Sequence, residues 1–139
     1  MADKNIFILA AGNNRYSDKP CSLWSFGNGK SILDWQTHTI ESALPGNEVK
    51  IAVGYDYHKI IEDHLDHTFL HVTDWKKGSA LHSFLSVASD SKKNTLVMYG
   101  DTVFHSETLM EFDELEGDVI VGIDKLWKHR FSGRSKEDI

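Results

Sequence analysis

The chain has little cysteine and little proline: Cys21 is the single thiol, and Pro20 and Pro45 are the two prolines, in 139 residues. One thiol excludes an intrachain disulfide and a multi-cysteine zinc site. The chain also lacks low-complexity stretches, internal repeats and any Gly-Ser-Pro linker, which argues against a disordered bulk or a chain divided in two. Basic residues are in deficit, 15 Lys and Arg against 21 Asp and Glu, for a formal charge of −6. That balance excludes a broad basic face for duplex nucleic acid and confines any phosphate site to a local feature. No apolar run approaches the roughly 20 residues that span a bilayer, and Met1 to Asn5 lacks the layout of a secretion signal. The expectation is a cytoplasmic protein with neither a membrane nor a nucleic-acid partner. What is present suffices for one domain over residues 1–139, with 40% apolar residues for a core. The polar residues 132–139 are expected to form a flexible tail.

Asn5 to Ala10 carries a continuous apolar run after its first residue, the pattern of a strand buried on both faces and hence of a parallel sheet. Similar runs recur at Val49 to Val53, Phe69 to Val72, Thr95 to Tyr99 and Asp118 to Ile123, so five strands are predicted. Between them lie segments of helical spacing. Ser31 to Leu44 places Ile32, Leu33, Gln36 and Ile40 along one side and closes at Pro45-Gly46. A second helix is predicted from about Asp56 to His67, with Asp56 as its cap, and a third from about Ser79 to Ser89, with Ser79 as its cap. In the third, Ala80, Leu81, Phe84, Leu85 and Ala88 form the expected packing stripe. Alternation of strand and helix predicts a three-layer, Rossmann-like α/β domain with a mostly parallel central sheet, whose ligands sit beyond the carboxyl ends of the strands.

The segment Leu9-Ala10-Ala11-Gly12-Asn13-Asn14-Arg15 stands at the end of the first strand. Ala10, Ala11 and Gly12 present almost no side chain, so a ligand can approach the backbone, and successive amides there can form an anion-binding concavity. Arg15 adds a planar, permanently charged fork for phosphate oxygens. On the residues alone, tight packing of a strand end accounts for the pattern equally well. Asp101, after Thr95 to Tyr99, would stand at a carboxyl strand end and could hold a hard cation, or serve as a turn aspartate in Gly100-Asp101-Thr102.

Taken with Lys19-Pro20-Cys21-Ser22-Leu23, Gly78-Ser79-Ala80-Leu81 and Met98-Tyr99-Gly100-Asp101-Thr102, this loop resembles the nucleotidyltransferase superfamily of sugar-phosphate nucleotidyltransferases and phosphocholine cytidylyltransferases. The resemblance spans roughly Ile6 to Asp124, and Leu33 to Gln36 and Val53 to Tyr55 also match family segments. It implies that Leu9, Ala10, Ala11, Gly12, Asn13, Asn14 and Arg15 bind the nucleotide, that Gly78, Ser79 and Ala80 line the nucleoside, and that Asp101 binds Mg2+. The implied reaction is transfer of a nucleotidyl group from a nucleoside triphosphate, CTP by preference, to a phosphorylated sugar, amino alcohol or phosphonate, with release of pyrophosphate. An acceptor oxygen that is already an anion needs no side-chain nucleophile, so the protein would align the reactants and neutralise charge, with Arg15 and a lysine as its catalytic cations.

Two departures bear on this expectation. The family lysine that follows proline is Cys21 here, leaving Lys19 as the first substitute and Lys30 as the second. Family catalytic domains are also considerably longer, so the alternative is a non-catalytic nucleotide-binding or assembly module that keeps the first half of the fold. In that case exposed sheet edges would favour a homo-oligomer. Eight histidines, His64 and His67 among them, suggest packing and surface roles rather than zinc ligation. Trp75 and Trp127, which follow strands, are candidates for the acceptor side. The acidic residues from Glu107 to Asp118 read as a solvated helix-and-turn face.

Overall fold

A computed structural model describes residues 4–13, 17–88, 92–130 and 132–133. Four strands form the sheet: β1 (Asn5–Ala10), β2 (Val49–Val53), β3 (Thr68–His71) and β4 (Thr95–Tyr99). Their order is β3-β2-β1-β4 and every pairing is parallel, with Ile8 opposite Ile51 on one side and Met98 on the other. Helices α1 (Ile32–Ala43), α2 (Tyr57–Asp63), α3 (Ala80–Val87), α4 (Ser106–Asp113) and the single turn α5 (Trp127–Arg130), with short 3-10 turns at Cys21–Leu23 and Trp75–Lys77, complete the described elements. Among them no helix is long and apolar enough to cross a membrane.

Alternation along the strands divides the core in two. Ile6, Ile8 and Ala10 of β1, Ile51 and Val53 of β2 and Met98 of β4 turn to one face, where Leu33 and Ile40 of α1, Ile60 of α2 and Leu109 of α4 cover them. On the opposite face Leu9 and Ala52 pack with Trp75 and Val87, and Phe7 meets Phe84 of α3 edge to face at 5.4 Å. Helices on both faces of a parallel sheet give the three layers expected of the α/β alternation.

Local chemistry explains the boundaries. Ser31 and Asp34 form a reciprocal capping box at the start of α1: Asp34 N donates to Ser31 Oγ at 3.1 Å, and Ser31 N donates to Asp34 Oδ2 at 2.7 Å. Gly46, at φ +77°, supplies the left-handed turn after that helix. Ser79 caps α3 by accepting from His82 N. Asp56 precedes α2 but does not cap it. Its backbone is left-handed at φ 48°, and its carboxylate pairs with Lys59 Nζ at 2.6 Å. That helix ends at Asp63, four residues before the predicted end, where the His64 backbone leaves the helical region at φ −139° and ψ 44°.

Two further expectations are corrected. Asp118 to Ile123 is not a strand: Val119, Val121 and Ile123 are 83%, 72% and 76% exposed. Strand propensity measures fit to a pleated, half-buried surface, and no described strand presents one to this segment. The buried face of α3 is also rotated from the predicted stripe. Ser83 is buried and Phe84 and Val87 pack on the sheet, whereas Leu81 and Leu85 are each 64% exposed. In the final tail Ser132 and Gly133 are described, and the rest of 132–139 lies outside the described residues.

Candidate functional site

The strand order reverses between β1 and β4, since the chain winds from β1 to β2 and β3 on one side and returns to place β4 on the other. At such a reversal the loops leaving two neighbouring strands part in opposite directions and open a crevice beyond their carboxyl ends. A cleft of about 190 Å³ lies there. Its walls are the end of β1 and its loop (Leu9 to Asn13), the end of β4 and its loop (Tyr99 to Asp101), and the start of α3 (Gly78 to Ala80 and Ser83), with Cys21, Ser22 and Trp75.

Small residues bring these walls together. Gly100 N donates to Leu9 O at 2.9 Å, and a Cβ on Gly100 would stand 2.7 Å from that same carbonyl oxygen. On the other side of β1, Tyr55 N donates to Ala11 O at 2.9 Å, and a Cβ on Gly54 would stand 2.8 Å from that oxygen and 2.7 Å from Trp75 Cβ. Both neighbours therefore approach the β1 loop as closely as backbone allows. A Cβ on Gly12 would meet nothing within 4 Å, so the tip of the loop is open to a ligand.

The segment from Asp74 to His82 is closed by a side-chain clasp, in which His82 Nε2 donates to Asp74 Oδ2 at 2.8 Å. This hydrogen bond holds the Asp74 carboxyl below its ordinary range, against a smaller opposing effect of burial. The clasp and the Ser79 cap fix the Gly78 to Ala80 wall from both ends.

Of the residues anticipated from sequence, Leu9, Ala10, Ala11, Gly12, Asn13, Gly78, Ser79, Ala80 and Asp101 all line this one cleft. Asn14 and Arg15 lie outside the described residues. Lys19 lines a separate depression of about 440 Å³ beside Ser31, Asp34, Lys59 and His64. Lys30 places its ammonium 5.5 Å from the centre of the Trp35 ring. Asp101 is exposed, and its Oδ1 accepts from Thr102 Oγ1 at 3.1 Å. Among the described residues it is the one acid lining the cleft, and they hold no group of three or more acidic, histidine or cysteine side chains able to bind a metal ion.

Sequence reasoning missed Ser22 and Ser83. Both are buried, at 2% and 6% exposure, and both line the cleft. Ser83 gave no local signal, because hydrophobicity places Leu81 and Leu85, not a serine, on the packed side of the helix. Ser22 Oγ is buried without a hydrogen-bond partner among the described residues. An unpaired buried hydroxyl costs about 1–3 kcal/mol. Ser22→Ala is accordingly expected to raise the stability of the unliganded protein by about 1 kcal/mol in denaturant unfolding; a loss of stability would mean that the hydroxyl has a partner in solution.

No protein-family model matches the chain, and no curated protein matches it.

Proposed function

We propose that this chain is a nucleotidyl-transfer domain that binds a nucleoside triphosphate in the cleft at the β1–β4 reversal. The observation that carries the reading is convergence. Leu9 to Asn13, Gly78 to Ala80 and Asp101 are far apart in sequence and line one crevice where the topology favours a ligand. The cleft is smaller than the roughly 300–1,000 Å³ of most small-molecule sites. A nucleotide would fill it with one part and rest the remainder on the open rim around Gly12.

In this reading an oxygen of a phosphate or phosphonate acceptor attacks the α-phosphorus. A new P–O bond forms, the bond to the bridging oxygen of the β-phosphate breaks, and pyrophosphate leaves with the electron pair. The small-residue loop after β1 would bring backbone amides near the phosphates, and the fixed Gly78 to Ala80 wall would orient the nucleoside. The donor set fits Mg2+ as a partial site: magnesium commonly takes one or two carboxylates and completes its shell with phosphate oxygens and water. Asp101 would hold it, and the ion would supply neutralisation of charge on the phosphates. CTP remains the preferred triphosphate, on the strength of the resemblance to cytidylyltransferases.

One observation favours a second reading, a nucleotide-binding module without turnover. The described lining of the cleft contains no lysine or arginine, and Cys21 stands in it where the family lysine would be. Calorimetric titration with CTP, UTP, GTP, ATP and dTTP, with and without Mg2+, tests binding, and isotope exchange between pyrophosphate and triphosphate tests turnover. Magnesium-dependent binding with exchange is the expected result. Binding without exchange across an acceptor panel would support the module, and no binding by any triphosphate would overturn both readings.

A further inference from the structure

Gln36 is an uncharged polar residue in the apolar stripe of α1, 2% exposed and far in sequence from the β4 loop. Its side-chain nitrogen donates twice, to Tyr99 O at 2.6 Å and to Thr102 O at 2.5 Å. Because both partners are carbonyl oxygens, the amide can face them only with its nitrogen. Its oxygen, Oε1, is buried and has no hydrogen-bond partner among the described residues. A buried side chain that leaves one of its own acceptors unpaired while spending both amide hydrogens on a single loop is fixed by that loop.

The two carbonyls belong to the residues on either side of Gly100-Asp101. Gln36 therefore grips the β4 loop immediately before and immediately after the pair that faces the cleft. Thr102 continues the connection, since its hydroxyl donates to Asp101 Oδ1 at 3.1 Å. From the other side Gly100 N is tied to Leu9 O. The loop that presents the exposed carboxylate is thus anchored both to the helix layer beneath the sheet and to the neighbouring strand.

We infer that Gln36 is a positioning residue that sets where the Asp101 carboxylate stands in the cleft, and so controls the magnesium-dependent part of nucleotide binding. This inference rests on the nucleotide reading above. Gln36 touches no ligand and acts only through the β4 loop. A residue that merely filled the core would support the whole cleft, whereas the grip on Tyr99 and Thr102 singles out the Asp101 side. Gln36→Met keeps length and volume but donates nothing, and Gln36→Glu keeps shape but turns a carboxyl group toward two carbonyls.

The test compares wild type, Gln36→Met, Gln36→Glu and Asp101→Ala as full-length chains. Triphosphate affinity is measured with and without Mg2+, and amide hydrogen exchange at residues 101–102 is measured without ligand. The expected result is that both Gln36 variants lose about tenfold of the affinity gained with Mg2+, keep their magnesium-free affinity within about threefold, and exchange those amides at least about tenfold faster. Equal losses with and without Mg2+ would overturn the inference and make Gln36 a general core residue, and unchanged exchange at 101–102 would overturn it whatever the affinities do. Failure of the nucleotide reading has a different signature: wild type gains nothing from Mg2+, or Asp101→Ala keeps the gain. That result overturns the functional role of Gln36 as well, while accelerated exchange would still identify it as an anchor of the loop.

Discussion

Gly100→Val is expected to destabilise the protein by about 3 kcal/mol and to reduce ligand binding or turnover by about 100-fold. The first Cβ atom would already lie 2.7 Å from Leu9 O and 3.0 Å from Ala10 Cα and Cβ, and two of those three neighbours are backbone atoms. Backbone cannot rotate away as a side chain can, so β1 and the β4 loop must separate, and the Gly100 N to Leu9 O hydrogen bond is lost with that movement. Asp101 is the next residue and moves too. Gly12→Ala is the informative control: its Cβ would meet nothing within 4 Å, so stability is expected to stay at the wild-type level while ligand affinity falls. Denaturant unfolding beside calorimetric titration separates the two cases. Wild-type unfolding in Gly100→Val would show that the strand ends part without cost.

The second large effect is expected at His64. Its ring is 5% exposed, with Nδ1 2.9 Å from Ile60 O and Nε2 donating to Asp34 Oδ1 at 2.9 Å. Asp34 also closes the capping box of α1, so one pair ties the start of α1 to the end of α2. His64→Ala is expected to cost about 3 kcal/mol, from the cavity and from the partners left unpaired. Burial raises the Asp34 carboxyl, but hydrogen bonds from the Ser31 backbone and hydroxyl and from His64 outweigh it and hold the group below its ordinary value of 3.8. A carboxyl depressed on folding stabilises where it is ionised in both states, and that contribution is lost as pH falls through the folded value. The gap in stability between wild type and Asp34→Asn is therefore expected to be full above about pH 5 and to close as pH falls below about 4. A gap that widened toward acid would contradict this assignment.

Much of this architecture was legible in the residues. The four paired strands announce themselves as short, largely apolar runs, and the strand after β2 is displaced by a single residue. The walls of the cleft at Leu9 to Asn13 and Asp101 follow from small or acidic residues at strand ends, whereas the wall at Gly78 to Ala80 comes only with the family resemblance. What could not be read is what depends on partners. Asp118 to Ile123 has strand composition but no edge to join among the described strands, and hydrophobicity alone puts Leu81 and Leu85 on the packed side of α3, where the structure has Ser83, Phe84 and Val87. Gln36 was readable as a member of the buried side of α1, yet nothing local indicates that its amide reaches across 63 and 66 residues to the β4 loop. Lys19 illustrates the same limit. It sits two residues from Cys21 in sequence, but lines a different depression from the cleft.

The reversal of strand order also has a consequence for how the protein is made. β4 is the last strand of the sheet in chain order, so a nascent chain that has not reached Asp101 has no cleft, however well β1, α1 and β2 have already associated. Parallel pairing of β1 with β4 closes a loop of nearly ninety residues, from Asn5 to Thr95, and contacts so distant in sequence form slowly. Ligand capture thus reports a late folding event. Under the proposed function, capture of a triphosphate during refolding is expected to lag behind the appearance of helical signal and so to mark the docking of β4.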